Sequence, residues 1–343
     1  MLLTIGCGTG DLEEVLLPPA GEPLVIVATA ADDYSVGTLS AVSLNDWTIY
    51  GDIATVSGDP VVQAGAEHVY QINRLGTDTI RVYDPEDWTR PIEEFSVGGG
   101  ANPHSVVECG EELWVSLYEE SALGRYRDGM RVDQISVAAF ADADGIPESS
   151  DMARVGDRVY VAFQRLNRNQ GWAPESTGRV ASYDCETGAV LQSFEVGANP
   201  RLIIGSDESV WTVSAEAGIQ RIDPVNDTVE DVFTEFSGHV ASHLAMGENG
   251  RGLLITRGAN YEEYAVSCVE VEASNINRLL TVTNYLPDVQ VHQGQGWVAA
   301  RRSFVDESTL GGLMVVDLES CTLLTDPAWL QTPLDPVSIA FTP

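Results

Sequence analysis

The chain has 343 residues and a formal net charge of -34, from 52 Asp and Glu against 18 basic residues that are all Arg. That charge speaks against nucleic acid, whose phosphates need a basic surface that releases counterions, and against docking on an anionic membrane face. The missing Lys removes any phosphate loop of the G-x-x-x-x-G-K-[ST] type and any Schiff base, and no apolar run reaches the roughly 18 residues that span a bilayer.

In chain order, the first segment is MLLTIGC, a short apolar run ending in Gly6 and Cys7, followed by a loose spacer to Pro23. It resembles the tail of a bacterial lipoprotein signal. That resemblance makes residues 1–22 a leader and linker, Cys7 the lipidated residue, and the protein exported to the periplasm or cell surface, attached to membrane only through that lipid.

From residue 23 to 343 one pattern repeats. A large residue returns every 43 to 51 positions, as Ile26, Tyr70, Trp114, Tyr160, Trp211, Leu254 and Trp297, each inside a short alternating run such as ELWVSL, RVYVAF or SVWTVS. Alternation with β-branched and aromatic residues is the strand signature, and seven copies of a four-stranded unit predict an all-β, seven-bladed β-propeller forming a single domain. Its recurring large residues are expected in the core. The strands TIRVYD, GRVASYD, GIQRID and LMVVD end at Asp84, Asp184, Asp223 and Asp317, where a carboxylate suits the following turn. At the C-terminus DPVSIAFTP reads as an inner strand with no blade after it, while the strand from Pro23 starts a blade lacking one. Joining the two closes the ring and removes its edges. Cys109, Cys185, Cys268 and Cys321 show no C-x-x-C spacing, so no zinc ribbon is expected. Three pairings are open, with Cys268 to Cys321 favoured.

Aligning the inner strands puts one residue per blade at one level: Val337, Val61, His104, Asp151, Arg201, His243 and Asp288. Two His and two Asp could converge on a transition metal, and Arg201 could hold a carboxylate or phosphate in a fork. In the loop FADADGIPESSD, the pattern Asp142-x-Asp144-Gly145-x-x-Glu148 has the alternate carboxylates and turn glycine of a partial Ca²⁺ loop. The stretch AFQRLNRNQGW carries Gln164, Arg165 and Trp172 into a long loop, and long loops in compact domains are often functional. Arg74, Tyr118, Tyr261, Arg301 and Arg302 follow their own second strands. Together these predict a basic, aromatic basin suited to a polar ring-bearing ligand.

The G-x-N-P turns of GANPHSVV and GANPRLII, with the T-G-x-V turn of DCETGAVLQSFEVG, resemble the YVTN or YncE-like propeller family. Stretches such as NRLGTDTIRVYDPEDW and AFQRLNR resemble its bacterial lipoprotein branch. A WD40 ring is disfavoured because G-H and W-D do not recur blade by blade. The resemblance implies fold and export more than chemistry. No G-x-S-x-G, H-E-x-x-H or Cys–His pairing is present, so the expectation leans to a monomeric propeller binding a small molecule or partner protein on its top face. The alternatives are a metal-dependent lyase or hydrolase at the channel mouth, using His104, Asp151, His243 or Asp288, and a pure interaction scaffold.

Overall fold

A computed structural model describes residues 15–205, 208–306, 308–325 and 328–343. Cys7 therefore lies outside the described residues.

Seven four-stranded antiparallel sheets follow one another around the chain. Their inner strands are Pro60–Ala64, Pro103–Cys109, Ser149–Val155, Arg201–Ile204, Val240–Met246, Tyr285–His292 and Asp335–Phe341, belonging to blades 1 to 7 in that order. No α-helix occurs among the described residues. Blade 7 is made from both chain ends: Asp335–Phe341 pairs antiparallel with Leu24–Ala30, which pairs in turn with Gly37–Ser43. The expected closure is therefore the one observed.

Each blade covers the next with its face, so the second strand of a blade is buried on both sides. Leu24–Ala30, Val69–Asn73 and Val210–Ser214 are buried at every residue, whereas the outer strand Met130–Ser136 is exposed at all but Ile135. The recurring large residues are all core, from Trp114, Tyr160 and Trp297 at 0 % exposure to Tyr70 at 6 %. Apolar clusters bridge all seven pairs of neighbouring blades, ending with the cluster that joins Val25 and Val27 to Trp297 and Val315. The core is thus a ring of inter-blade layers and not one central mass.

The four turn carboxylates act as expected. Oδ1 of Asp84, Asp184, Asp223 and Asp317 accepts the N–H of Glu86, Thr187, Val225 and Ser320 respectively. Disulfides link Cys109 to Cys185 and Cys268 to Cys321, which settles the open pairing in favour of the expected bridge.

Candidate functional site at the channel mouth

A G-A-N-P turn delivers the chain into two of the inner strands. Asn102 and Asn199 take φ of 51° and 50°, a left-handed conformation in which Asn is enriched. The residue two positions later, His104 or Arg201, then stands at the channel mouth. In blades 2, 3, 5, 6 and 7 the inner strand also carries a register shift at this level. A bulge of this kind re-aims side chains, here toward the axis. All seven residues aligned from the sequence line one cavity of about 470 Å³. Arg74 and Gln164 line it too, with Tyr34, Asp59 and Tyr285 at its wall.

An inner strand has no strand partner on its channel side, so its outward N–H groups need acceptors from elsewhere. Side chains of the preceding blade supply them. Ser338 Oγ accepts from Val62 N–H at 3.3 Å, Gln63 Oε1 from Val106 at 2.7 Å, and Ser105 Oγ from Met152 at 3.0 Å. Asp151 Oδ2 accepts from Leu202 at 3.1 Å, and Asp288 Oδ2 from Ile339 at 2.9 Å. Five of the seven junctions carry such a latch. Among the described residues, those leaving blades 4 and 5 carry none, and these are the blades that contribute Arg201 and His243.

Asp288 is wholly committed: Oδ1 also accepts its own neighbour's N–H, from Val289, at 2.8 Å, and Ser338 donates to Oδ2 at 3.2 Å. Burial pushes its carboxyl up to about 6 against these hydrogen bonds and the Arg201 charge. His104 stacks on Tyr118, ring centres 4.2 Å apart. Burial, then the charges of Arg74 and Arg201, holds it well below the usual imidazole range. His243 is 7 % exposed. Its Nδ1 lies 2.9 Å from Ser242 Oγ, and Nε2 has no hydrogen-bond partner among the described residues. Burial, then Arg201 and Arg257, keeps it neutral as well. Arg201 is exposed, lines the cavity, and has no ion pair or hydrogen-bond partner among the described residues.

The other expected site residues separate. Arg74 Nη2 lies 2.6 Å from Asp59 Oδ1 at the cavity wall. Tyr118 stands behind His104 and donates to Gln164 Oε1 at 2.7 Å. Arg165 donates to Thr177 O at 2.9 Å, and Arg302 pairs with Asp32 and Asp335. Arg301 is 2 % exposed, donates to Ala31 O at 3.0 Å and lies under the Tyr34 ring. Trp172 is exposed on Arg168, and Tyr261 covers Arg257. None of Arg165, Trp172, Tyr261, Arg301 and Arg302 lines the cavity. The expected basic basin is therefore corrected. Its arginines sit at strand ends, where their donors fix loops, and the lining sets Arg74 and Arg201 against Asp59, Asp151 and Asp288.

Neither expected metal set forms. Among the described residues, no group of three or more His, Cys, Asp or Glu side chains is placed to hold a metal ion. At the channel mouth the reason is that Asp151 and Asp288 are engaged as latches. The calcium candidates do converge, but on a guanidinium: Arg168 Nε lies 3.1 Å from Glu148 Oε1 and 4.0 Å from Asp144 Oδ2, and Glu119 also pairs with Arg168. Asp144 Oδ2 accepts Arg168 N–H at 2.7 Å, Glu148 Oε2 accepts Leu166 N–H at 3.0 Å, and Asp142 Oδ1 accepts Asp144 N–H at 2.8 Å. Glu148 is fully buried, and burial pushes it up to about 7. The cluster pins the 164–175 hairpin.

Sequence reasoning missed Tyr34, Asp59 and Tyr285, which reach the mouth from irregular segments or strand starts with no periodic signal. It also missed the latch residues Gln63, Ser105 and Ser338, whose role depends on the neighbouring blade.

No family model and no curated protein matches the chain. Solved structures do. A protein from Lactobacillus plantarum superposes with a TM-score of 0.66 at 13 % identity, over 93 % of this chain and 99 % of that one. The periplasmic gluconolactonase of Pseudomonas aeruginosa gives 0.61 at 14 %, over 93 % and 98 %. Virginiamycin B lyase from Staphylococcus aureus with quinupristin gives 0.59 at 12 %, over 83 % and 94 %. At these identities the likeness establishes the seven-bladed propeller fold.

Proposed function

We propose that this protein binds a small organic anion in the channel-mouth cavity, with Arg201 as its anchor. One observation carries the reading: in a strongly acidic protein, Arg201 projects into a cavity of about 470 Å³ with no partner among the described residues. That volume falls within the range of small-molecule sites. The guanidinium fork matches a carboxylate, and blades 4 and 5 keep their ring side chains out of the latches.

Two disulfides support an oxidising compartment, and the gluconolactonase among the structural neighbours is periplasmic by its description. Export to the periplasm or cell surface, a lipid at Cys7, a monomeric state and membership of the YncE-like lipoprotein branch complete the proposal. Metabolic labelling with palmitate, lost in Cys7→Ser, tests the anchor.

Thermal unfolding against a panel of small organic acids tests the binding. A ligand that binds only the folded state raises the midpoint by mass action. At least one acid is expected to raise it in the wild type and to lose that effect in Arg201→Gln. A panel without any shift, or a shift untouched by the substitution, refutes the reading.

A further inference from the structure

We infer that the occupant of this cavity is an aromatic monocarboxylate lying across the channel, its acid group on Arg201 and its ring on the wall of Val337, Val61 and His104. The inference rests on the anion-binding reading above and specifies its ligand.

The geometry is set by ring order. Arg201 stands on blade 4, flanked by Asp151 on blade 3 and His243 on blade 5. In a ring of seven, the positions opposite blade 4 are blades 7 and 1, which carry Val337 and Val61. Both valines are partly open to the cavity. His104 on blade 2 extends the same side. It is uncharged because of its burial and the two neighbouring arginines, so three successive blades present neutral surface. The cavity is thus bipolar, with an unpaired cation on one side and, on the other, two valines and a neutral imidazole beside the Arg74–Asp59 pair, whose charges offset each other.

The shape of that wall selects a flat body. His104 lies nearly parallel to Tyr118, with 14° between the planes. Tyr118 covers one face of the imidazole from outside the lining, and His104 itself lines the cavity. A second ring can continue the stack at offset geometry. Tyr34 and Tyr285 stand at the rim of the same cavity.

Charge selects a single acid group. Of the two arginines in the lining, Arg74 is matched by Asp59 at 2.6 Å, and Arg201 has no ion-pair partner among the described residues. A second carboxylate would face Asp59, Asp151 or Asp288, and like charges at short range repel strongly in a site partly shielded from water. His243 offers the first carboxylate a second donor in the tautomer in which Ser242 Oγ donates to Nδ1: the ring proton then sits on Nε2, the buried atom that lacks a partner among the described residues.

Isothermal titration of the full chain near pH 7 with benzoate, methyl benzoate, acetate and phthalate tests the assignment. Benzoate is expected to bind at least about tenfold more tightly than acetate or phthalate, methyl benzoate to show no heat of binding, and Arg201→Gln to weaken benzoate by about tenfold or more, as loss of a charge-assisted hydrogen bond does. Val61→Thr, which makes the wall polar without adding charge, is expected to weaken benzoate and leave acetate unchanged. The ligand contrasts decide the matter even where that variant fails to fold. Acetate or phthalate binding as tightly as benzoate, with dependence on Arg201 intact, overturns the aromatic monocarboxylate and leaves the anion site standing. Binding of the ester equal to that of the acid, or benzoate binding untouched by Arg201→Gln, overturns the anchor as well, and no binding by any of the four overturns the aromatic monocarboxylate.

Discussion

Asp288→Asn tests whether the inner ring is held by side chains that latch one blade to the next. The carboxyl takes three donors, from Ile339, Val289 and Ser338, yet burial pushes it up to about 6 from 3.8. An acid raised on folding holds its proton in the native state while the unfolded chain has already released it. Native stability must then fall as the pH rises from about 4 to about 6 and level off above that. A shift of about two units, at 1.36 kcal/mol each, is worth about 3 kcal/mol, and partial exposure to the cavity trims this to about 2 kcal/mol. The amide that replaces the carboxyl cannot ionise. It offers one acceptor fewer, at a cost of about 1 kcal/mol that does not vary with pH. Urea unfolding of both proteins at pH 4, 5, 6 and 7 should therefore show wild type ahead at pH 4, with its lead shrinking by about 2 kcal/mol or more by pH 7. A lead that stays constant across the range refutes the argument, because the carboxylate would then be no more burdened in the native ring than in the unfolded chain.

Four further outcomes follow from the same geometry. Ser105→Ala strands the buried N–H of Met152 and should cost about 1–3 kcal/mol in chemical unfolding, while removal of the exposed turn hydroxyl of Ser308 should stay within about 0.5 kcal/mol. Arg201→Ala should move the titrations of both His104 and His243 upward in NMR, since the guanidinium lowers each; a downward or absent shift contradicts the placement of its charge. Opening Cys268–Cys321, which closes 53 residues, should lower stability by about 4 kcal/mol in the chain-entropy limit, read as the difference between oxidised protein and a double Ser variant. Deleting residues 335–343 removes the strand that covers Leu24–Ala30, and the resulting open edge should replace the gel-filtration peak of the intact protein with aggregate.

The number of blades, their order and the closure by the two chain ends were legible in the sequence because they rest on local signals. Alternation makes a strand, Asp and Asn-Pro make turns, and a large residue at fixed spacing marks each buried second strand. The level of the ring was legible too, since His104 and Arg201 both sit two residues after an Asn that turns the chain inward. What each ring side chain does there was decided by tertiary structure. Asp151 and Arg201 stand on neighbouring strands at one height, yet Asp151 is spent on the Leu202 N–H of the next blade while Arg201 is left over. No spacing records this, because the donor belongs to another blade and the bulges that aim the side chains arise from pairing between strands. The calcium pattern failed for a related reason. Asp144 and Glu148 carry the right oxygens, but Arg168, 20 residues beyond Glu148, returns along a hairpin to take the place of a cation. Local chemistry determines the turns and strands of this protein, and only closure of the ring decides which polar groups remain free to meet a ligand.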